Sequence, residues 1–243
     1  MRLKIFSNYS PSFDPIKRQK TQIKFLIFHY TGMKKESDAI KKLTNFRSNV
    51  SCHYFIKQNG ETLKMVPDLY LAWHAGKSQW KKYKSLNKYS IGIEISNPGH
   101  DYGYKKFSPT QINSLEKLLK YLVKKYNIKK HYILGHSDIA PDRKKDPGEK
   151  FPWKFLAKKN ITVWHNLKNK DLKQNRRKKI SNVNVKRFQK NLKKIGYFFQ
   201  NSPDSKSMKK VIIAFQRHFR PELINGRPDQ ECLNISQAIS NKI

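Results

Sequence analysis

The hydrophobic positions in the first two thirds of the chain predict several strands. Residues 23–30 are almost continuously apolar, as expected of a strand buried on both faces of a sheet, and residues 50–56 form a second β-rich run. Residues 90–96 alternate strictly, so a strand there places its three isoleucines on one face and Glu94 on the other. Residues 131–134 predict a further strand.

Amphipathic helices are predicted between these strands. Residues 108–111 have the pattern of a capping box with proline at the first helical position, and apolar residues then recur at helical spacing as far as Leu122. A shorter helix is predicted over residues 37–46. Because strands and helices alternate, the sequence predicts an α/β fold with a mixed central β-sheet flanked by helices.

The end of the chain has a different pattern. Apolar residues recur every three to four positions over residues 185–195 and again over residues 208–219, and Asp229 can cap a third helix. Residues 183–243 are therefore predicted to form a small all-α domain of three helices.

A basic segment separates these two regions. Residues 167–182 contain seven Lys or Arg, one acid and few large apolar side chains, so this segment is predicted to be a linker. The α/β domain then covers residues 1–166 and the helical domain residues 183–243.

Length and composition exclude several protein classes. The chain has 243 residues, of which 37% are hydrophobic and 12% aromatic, too many for a wholly disordered polybasic chain. No apolar run approaches the roughly 20 residues that a transmembrane helix needs, and no secretory signal is visible at the start. Cys52 and Cys232 are far apart and form no CxxC motif, so neither a disulfide framework nor a cysteine zinc site is predicted.

The net charge leaves two interpretations open. The chain has 52 Lys and Arg against 17 Asp and Glu, a formal charge of +35. This charge favours a polyanionic partner such as nucleic acid, an anionic membrane or an acidic wall polymer, or it reflects a lysine-rich composition alone. Because the excess is spread over all three regions and no recognition motif is present, no specific nucleic-acid binding is predicted.

One segment combines residue types that bind metal ions. In residues 135–148, GHSDIAPDRKKDPG, His136 follows a predicted strand and Asp146 lies ten positions later. Imidazole and carboxylate ligands suit zinc, and three of them leave a fourth position open for catalysis. His29, at the end of the first buried strand, is the candidate third ligand, since a buried imidazole needs partners. Taken singly, each residue also has an ordinary structural interpretation.

Six segments, in order, resemble the zinc-dependent N-acetylmuramoyl-L-alanine amidases, which share their fold with peptidoglycan recognition proteins. The resemblance covers about residues 22–164. The segments are HYTG at 29–32, SCHYFI at 51–56, AWHAGKSQW at 72–80, SIGIEI at 90–95, GHSDIAPDRKKDPG at 135–148 and FPW at 151–153.

The resemblance implies roles for five residues. His29, His136 and Asp146 would bind one Zn²⁺ per chain, Glu94 would be the catalytic acid and base, and Lys144 would help to hold the oxyanion. Zinc chemistry suits this set, because an amide carbonyl needs polarisation before water attacks it. Exchanged roles for Glu94 and Asp146 are the main alternative.

Four further residues are candidates for substrate binding. His53 and His74 match positions that line the family's substrate cleft. Trp80 and Asn87 lie in the same loop region and could contact sugar or stem peptide, although a buried aromatic and a turn asparagine are equally ordinary interpretations. The remaining histidines, His100, His131, His165 and His218, are predicted to be surface or packing residues. Cys52 and His53 are strand neighbours that point to opposite faces, which argues against a cysteine hydrolase.

The tail resembles the small three-helix peptidoglycan-binding domain. The similarity lies in RFQKNLKKIGY at 187–197, AFQRHFRP at 214–221 and NGRPDQE at 225–231. Wall binding by this domain would raise the local substrate concentration, whereas a purely structural helical cap is the alternative.

The predicted function is hydrolysis of the amide between N-acetylmuramic acid and L-alanine in peptidoglycan or anhydro-muropeptides, during cell-wall degradation, remodelling or recycling. A non-catalytic peptidoglycan-recognition protein is the alternative, and the complete ligand set argues against it. A wall-binding tail favours the cell envelope, either periplasmic or secreted, whereas the lack of a visible signal favours the cytoplasm.

Overall fold

The computed structural model describes residues 3–200 and 203–243. The strands are β1 (Ile5–Ser7), β2 (Phe13–Asp14), β3 (Phe25–Tyr30), β4 (Tyr54–Ile56), β5 (Thr62–Lys64), β6 (Leu71–Ala72), β7 (Gln79–Trp80), β8 (Tyr83–Lys84), β9 (Ser90–Ile95) and β10 (Ile133–Gly135). The helices are α1 (Glu36–Thr44), α2 (Pro109–Tyr126), α3 (His136–Ile139), α4 (Trp153–Lys158), α5 (Asn169–Asn175), α6 (Asn182–Ile195), α7 (Ser205–Phe219) and α8 (Gln230–Ser240). Within the described ranges, none of these helices has both the length and the apolar character needed to cross a membrane.

The main sheet has six strands in the order β1-β5-β4-β9-β3-β10. Strands β4, β9, β3 and β10 are parallel to one another, β5 is antiparallel to β4, and β1 is parallel to β5. The predicted α/β class with a mixed central sheet is therefore confirmed. Small two-stranded sheets join β2 with β6 and β7 with β8.

Strand β3 lies between two parallel neighbours near one end of this sheet. Its register pairs Phe28 with Gly135 of β10 and His29 with Glu94 of β9. The carboxyl ends of the three strands consequently meet at one edge, which is where open α/β sheets bind their ligands.

Helix α2 covers one face of the sheet and begins with the predicted capping box. The Ser108 hydroxyl accepts a hydrogen bond from the Gln111 backbone N–H, and the Gln111 side chain accepts one from the Ser108 N–H. As predicted, alternation along β9 places Ile91, Ile93 and Ile95 on one face of the strand. These side chains belong to the same hydrophobic cluster as the buried residues of this helix. The helix contributes four buried leucines, Leu115, Leu118, Leu119 and Leu122.

The opposite face of the sheet is covered by the helical unit, which consists of α6, α7, α8 and the segments that connect them. Phe25 and Ile27 of β3 belong to the same hydrophobic cluster as Phe188 of α6 and Phe215 of α7. The predicted C-terminal helices are present, and their core is continuous with the second face of the sheet.

The segment predicted as a linker contains helix α5. Leu172 is buried in the shared hydrophobic cluster, and the Arg176 guanidinium donates two hydrogen bonds of 2.7 Å to the buried Glu231 carboxylate of α8. One buried apolar side chain and one bidentate ion pair thus attach this segment to the helical unit, although its composition predicted a linker without packing contacts. The division into two domains and a linker stays a prediction.

Candidate metal centre and cleft

Three predicted ligands converge at the carboxyl edge of the sheet. The His29 and His136 Nδ1 atoms are 2.9 Å apart, and each lies 3.0 Å from Asp146 Oδ2. All three side chains are buried. His29 lies near the end of β3 and His136 directly follows β10, so the parallel pairing of these strands brings together residues 107 positions apart.

A chain of hydrogen bonds determines which nitrogen of His29 carries a proton. The Ser90 hydroxyl donates to the Leu86 carbonyl at 2.6 Å, so it must accept the 3.1 Å hydrogen bond from His74 Nε2–H. His74 Nδ1 is then unprotonated and accepts from His29 Nε2–H at 3.0 Å. His29 consequently directs the lone pair of Nδ1 at His136 and Asp146.

His136 presents a lone pair in the same way. Its Nε2–H donates to the Ala75 carbonyl at 3.1 Å, which leaves Nδ1 unprotonated in the neutral ring. Two imidazole lone pairs and a carboxylate oxygen therefore face one another with no hydrogen between them. Such a set of donors could hold a cation, and two nitrogens and one oxygen with second partners on both rings suit zinc.

Two groups of the cluster have shifted pKa values. Burial lowers the pKa of His29 to about 4, and the neighbouring His136 lowers it too, while the contacts with the Asp146 carboxylate oppose the fall. Burial alone would raise the pKa of Asp146, but its contacts with His136 and His29 hold that pKa well below its usual range. The cluster thus offers a carboxylate and the neutral ring of His29 to a metal ion.

Glu94 lies beside the cluster without belonging to it. Its Oε2 atom is inaccessible to solvent and has no hydrogen-bond partner among the described residues. Burial raises the pKa of Glu94 to about 8, the charge of Asp146 adds to the rise, and Lys144 and Lys42 oppose it. A carboxyl group of this kind can accept and return a proton near neutral pH.

The cluster opens into a cleft of about 330 Å³ with a basic rim. Lys144, two residues before Asp146, lines this cleft. The other basic lining residues are Lys42, Arg143 and Lys145. The Arg143 guanidinium also donates to the carbonyls of Ala75 and Lys77 at 2.6 Å, so it supports the loop that holds His136.

The structure separates the four predicted substrate contacts. His74 lines the cleft. His53 is completely buried, where its Nδ1 accepts from the Gly92 N–H and its Nε2 lies 3.0 Å from the Arg18 guanidinium. Both ring nitrogens thus have partners within the fold, and His53 is not among the residues that line the cleft. A substrate contact for His53 stays a prediction.

Trp80 and Asn87 also lie outside the cleft. Asn87 Oδ1 accepts hydrogen bonds from the backbone N–H groups of His74 and Ala75, so this side chain holds the loop in place. Trp80 is 1% exposed and packs against Tyr197 of the helical unit, with ring centroids 4.8 Å apart. These two side chains therefore have the ordinary structural roles that the sequence left open.

Sequence reasoning missed several residues that support the centre. Ser90 belongs to the alternating strand pattern and Asp138 to the segment around His136, but the sequence predicted no role at the site for either residue. His218 is buried and stacks on Trp153, which fits the predicted packing role, and its Nδ1 also bonds to the buried Asp138 carboxylate at 2.8 Å. Only the residue type of Asp138, an acid two positions after a ligand histidine, was a signal for this contact.

The comparisons with known families agree with this geometry. The N-acetylmuramoyl-L-alanine amidase family model matches residues 19–149, and a peptidoglycan binding domain model matches residues 181–235. The Escherichia coli N-acetylmuramoyl-L-alanine amidase AmiD is 36% identical over 233 residues, which cover 91% of this chain and 83% of that protein. The Haemophilus influenzae 1,6-anhydro-N-acetylmuramyl-L-alanine amidase AmpD is 32% identical over 163 residues, covering 59% of this chain and 85% of that protein.

Two solved structures superpose on nearly the whole chain. A complex of Escherichia coli AmiD with anhydro-N-acetylmuramic acid-L-Ala-D-gamma-Glu-L-Lys has a TM-score of 0.80 and 33% identity, covering 94% of this chain and 92% of that one. AmpDh3 from Pseudomonas aeruginosa, in complex with anhydromuramic pentapeptide, has a TM-score of 0.80 and 29% identity, covering 97% and 96%. Both superpositions include the helical unit.

Proposed function

Because the chain belongs to the N-acetylmuramoyl-L-alanine amidase family, we propose that His29, His136 and Asp146 hold the zinc ion of its amidase centre. The enzyme hydrolyses the amide bond between N-acetylmuramic acid and L-alanine in peptidoglycan or its fragments. The observation that carries the zinc assignment is the convergence of two imidazole lone pairs and one carboxylate oxygen within about 3 Å.

When bound, zinc supplies Lewis acidity that polarises the amide carbonyl and makes water more acidic. Glu94 performs the proton transfers: its carboxylate accepts the proton of the attacking water and returns it to the departing L-alanine nitrogen. Its solvent-inaccessible Oε2 and raised pKa support this assignment. Lys144 places an ammonium group in the cleft, where it stabilises the negative oxygen of the tetrahedral intermediate.

The residues below the cluster keep the ligands ready for the metal. The relay from His29 through His74 to Ser90 keeps the His29 Nδ1 lone pair directed at the site. The Ala75 carbonyl does the same for His136. Because both ring orientations are determined before metal binds, little reorganisation is needed on binding.

The partner is peptidoglycan or a soluble muropeptide, and the basic rim of the cleft suits the carboxylates of stem peptides. The peptidoglycan-binding family of the tail supports a wall polymer as substrate and a location in the cell envelope. A sedimentation assay with purified sacculi tests wall binding. Substrate preference is tested by comparing the release of stem peptide from sacculi and from anhydro-muropeptide. Equal release from the two substrates would contradict a preference for the polymer.

Metal analysis tests the zinc assignment directly. We expect about one zinc per chain in the unmodified protein and in a His131→Ala control, and loss of zinc from His136→Ala. His131 is a suitable control because it belongs to a 3₁₀ turn, Lys130–Tyr132, and is not one of the three clustered residues. The same preparations are then assayed for release of stem peptide from sacculi. Full zinc content in His136→Ala, or a zinc-loaded enzyme that releases no stem peptide, would contradict the proposal.

A further inference from the structure

A second buried carboxylate lies next to the metal centre and has no part in the proposed chemistry. Asp138 is 1% exposed and belongs to α3, the single helical turn that begins with His136. Its Oδ2 accepts a hydrogen bond from the Gly135 backbone N–H at 2.8 Å. This bond caps the turn locally. The two oxygens of the buried Asp138 carboxylate can accept further hydrogen bonds, so they need additional donors.

The helical unit supplies the remaining donors. The Tyr197 hydroxyl donates to Asp138 Oδ1 at 2.7 Å, and His218 Nδ1–H donates to Oδ2 at 2.8 Å. Both donors are buried and held by aromatic packing from the α/β region. Tyr197 packs edge-on against Trp80, and the His218 ring stacks on Trp153 with centroids 3.7 Å apart.

Helix α3 connects this carboxylate to two of the three metal ligands. The turn carries His136, and the Ser137 N–H donates to the Asp146 carbonyl at 2.8 Å, so its backbone also positions Asp146. The Ala140 N–H closes the turn on the His136 carbonyl at 3.0 Å. A single turn has little stability of its own in water, so its geometry depends on tertiary contacts.

We infer that Tyr197 and His218 are positioning residues that hold α3, and thereby His136 and Asp146, through the Asp138 carboxylate. This inference rests on the proposed function only in treating His136 and Asp146 as zinc ligands. The helical unit is then a structural part of the metal centre, in addition to any binding of the wall. Removing both donors leaves a buried carboxylate that can recover partners only if the turn opens to water.

The test uses the full-length chain with both donors removed and ring shapes retained. Tyr197→Phe and His218→Phe are combined, since phenylalanine preserves the packing against Trp80 and Trp153. Ser236→Ala is the control, because it removes another buried hydrogen bond of the helical unit, the 3.0 Å bond from the Asn191 amide. A third variant adds Asp138→Asn to the double variant and removes the stranded charge.

Hydrogen exchange of the zinc-free proteins reports the turn without any metal. We expect the Ser137 and Ala140 amides to exchange at least tenfold faster in the double variant, at the unmodified rate in Ser236→Ala, and closer to that rate once Asp138→Asn is added. An exchange rate in the double variant within twofold of the control would overturn the inference, whether or not the chain binds zinc.

Competition with a chelator then measures the effect on the metal. The double variant should bind zinc about tenfold more weakly than Ser236→Ala. Faster exchange with unchanged zinc affinity would overturn the link between the helical unit and the metal centre. A failure of the unmodified chain to bind zinc would instead contradict the proposed function, while the exchange data would still decide whether the helical unit holds α3.

Discussion

His29 and Glu94 are register partners in the adjacent parallel strands β3 and β9, so their side chains leave the same face of the sheet at its carboxyl edge. One strand therefore carries a candidate metal ligand, and its neighbour carries the candidate proton carrier. The strand pairing places Glu94 beside His29. Glu94 is nevertheless outside the group of three candidate ligands, which Asp146 completes.

This pairing predicts the behaviour of Glu94→Gln. The substitution keeps the side-chain shape but removes the group that accepts and returns the proton, so kcat should fall about a thousandfold. Zinc content should stay at the unmodified level, because Glu94 is outside the ligand set. Metal analysis and stem-peptide release on one preparation check both expectations, and Glu61→Gln, at a half-buried site outside the cleft, is the control. Loss of zinc would instead indicate that Glu94 is a ligand and that Asp146 has the catalytic role.

Ser90→Ala should weaken zinc binding without touching a ligand. The Ser90 hydroxyl accepts the hydrogen bond from His74 Nε2–H. Without this hydroxyl nothing fixes the protonation of His74, and His74 in turn no longer fixes the orientation of the His29 ring. We expect zinc affinity, measured by chelator competition, to fall about tenfold. Ser137→Ala is the matched control, since the Ser137 side chain takes no part in the relay. Equal zinc affinity of the two variants would show that the relay has no influence on the metal.

Gly92→Ala should destabilise the fold. A β-carbon at this position of β9 would lie 2.3 Å from the His74 ring, which must move away. Such overpacking costs about 2 kcal/mol of unfolding free energy, which urea denaturation can measure. Because the clash is with His74, adding His74→Ala should make the double variant less destabilised than the sum of both single variants. Simple additivity would mean that the backbone, and not the ring, opposes the substitution.

Asp68→Asn should change the acid stability of the enzyme. Burial would raise the pKa of Asp68, but hydrogen bonds from Lys125, Tyr126 and Tyr54 hold it well below its usual range. A depressed pKa stabilises the fold above the unfolded-state value of about 4, and this contribution is lost as the pH falls below it.

The variant should therefore lose about 3 kcal/mol of unfolding free energy at pH 7 and show a smaller further loss on acidification. Urea titrations across the acid range check this, with the exposed Asp142→Asn as control. An unchanged slope of stability against pH would show that Asp68 is not the group that titrates.

The local elements were predictable because their signals lie within a few residues of one another. The capping box at Ser108 and Gln111 is present as expected. The alternation in β9 correctly placed its isoleucines in the core and Glu94 on the opposite face. The boundaries of β4 were less accurate, because residues 51–53 are buried but lie outside the strand, and burial produces the same apolar pattern as a strand.

The supporting contacts of the site were not predictable in the same way. A substrate contact was predicted for His53 from the family resemblance, and for Trp80 and Asn87 from their place in the loop region around His74. The loop instead turns Trp80 toward the helical unit and uses Asn87 to bind its own backbone. Residue type and position cannot distinguish a side chain that faces substrate from one that holds the loop facing it.

The sequence by itself determined the elements, the α/β class, the helical tail and the three residue types of the metal cluster. Each depends on local periodicity or on a motif whose chemistry is specific. Only the tertiary structure decided that Tyr197 and His218 meet Asp138, across 59 and 80 residues. The physical reason is that a buried carboxylate accepts hydrogen bonds from any donor that packing places within reach, whatever its position in the sequence. The packing of the helical unit on the sheet, rather than a spacing along the chain, selects which donors those are.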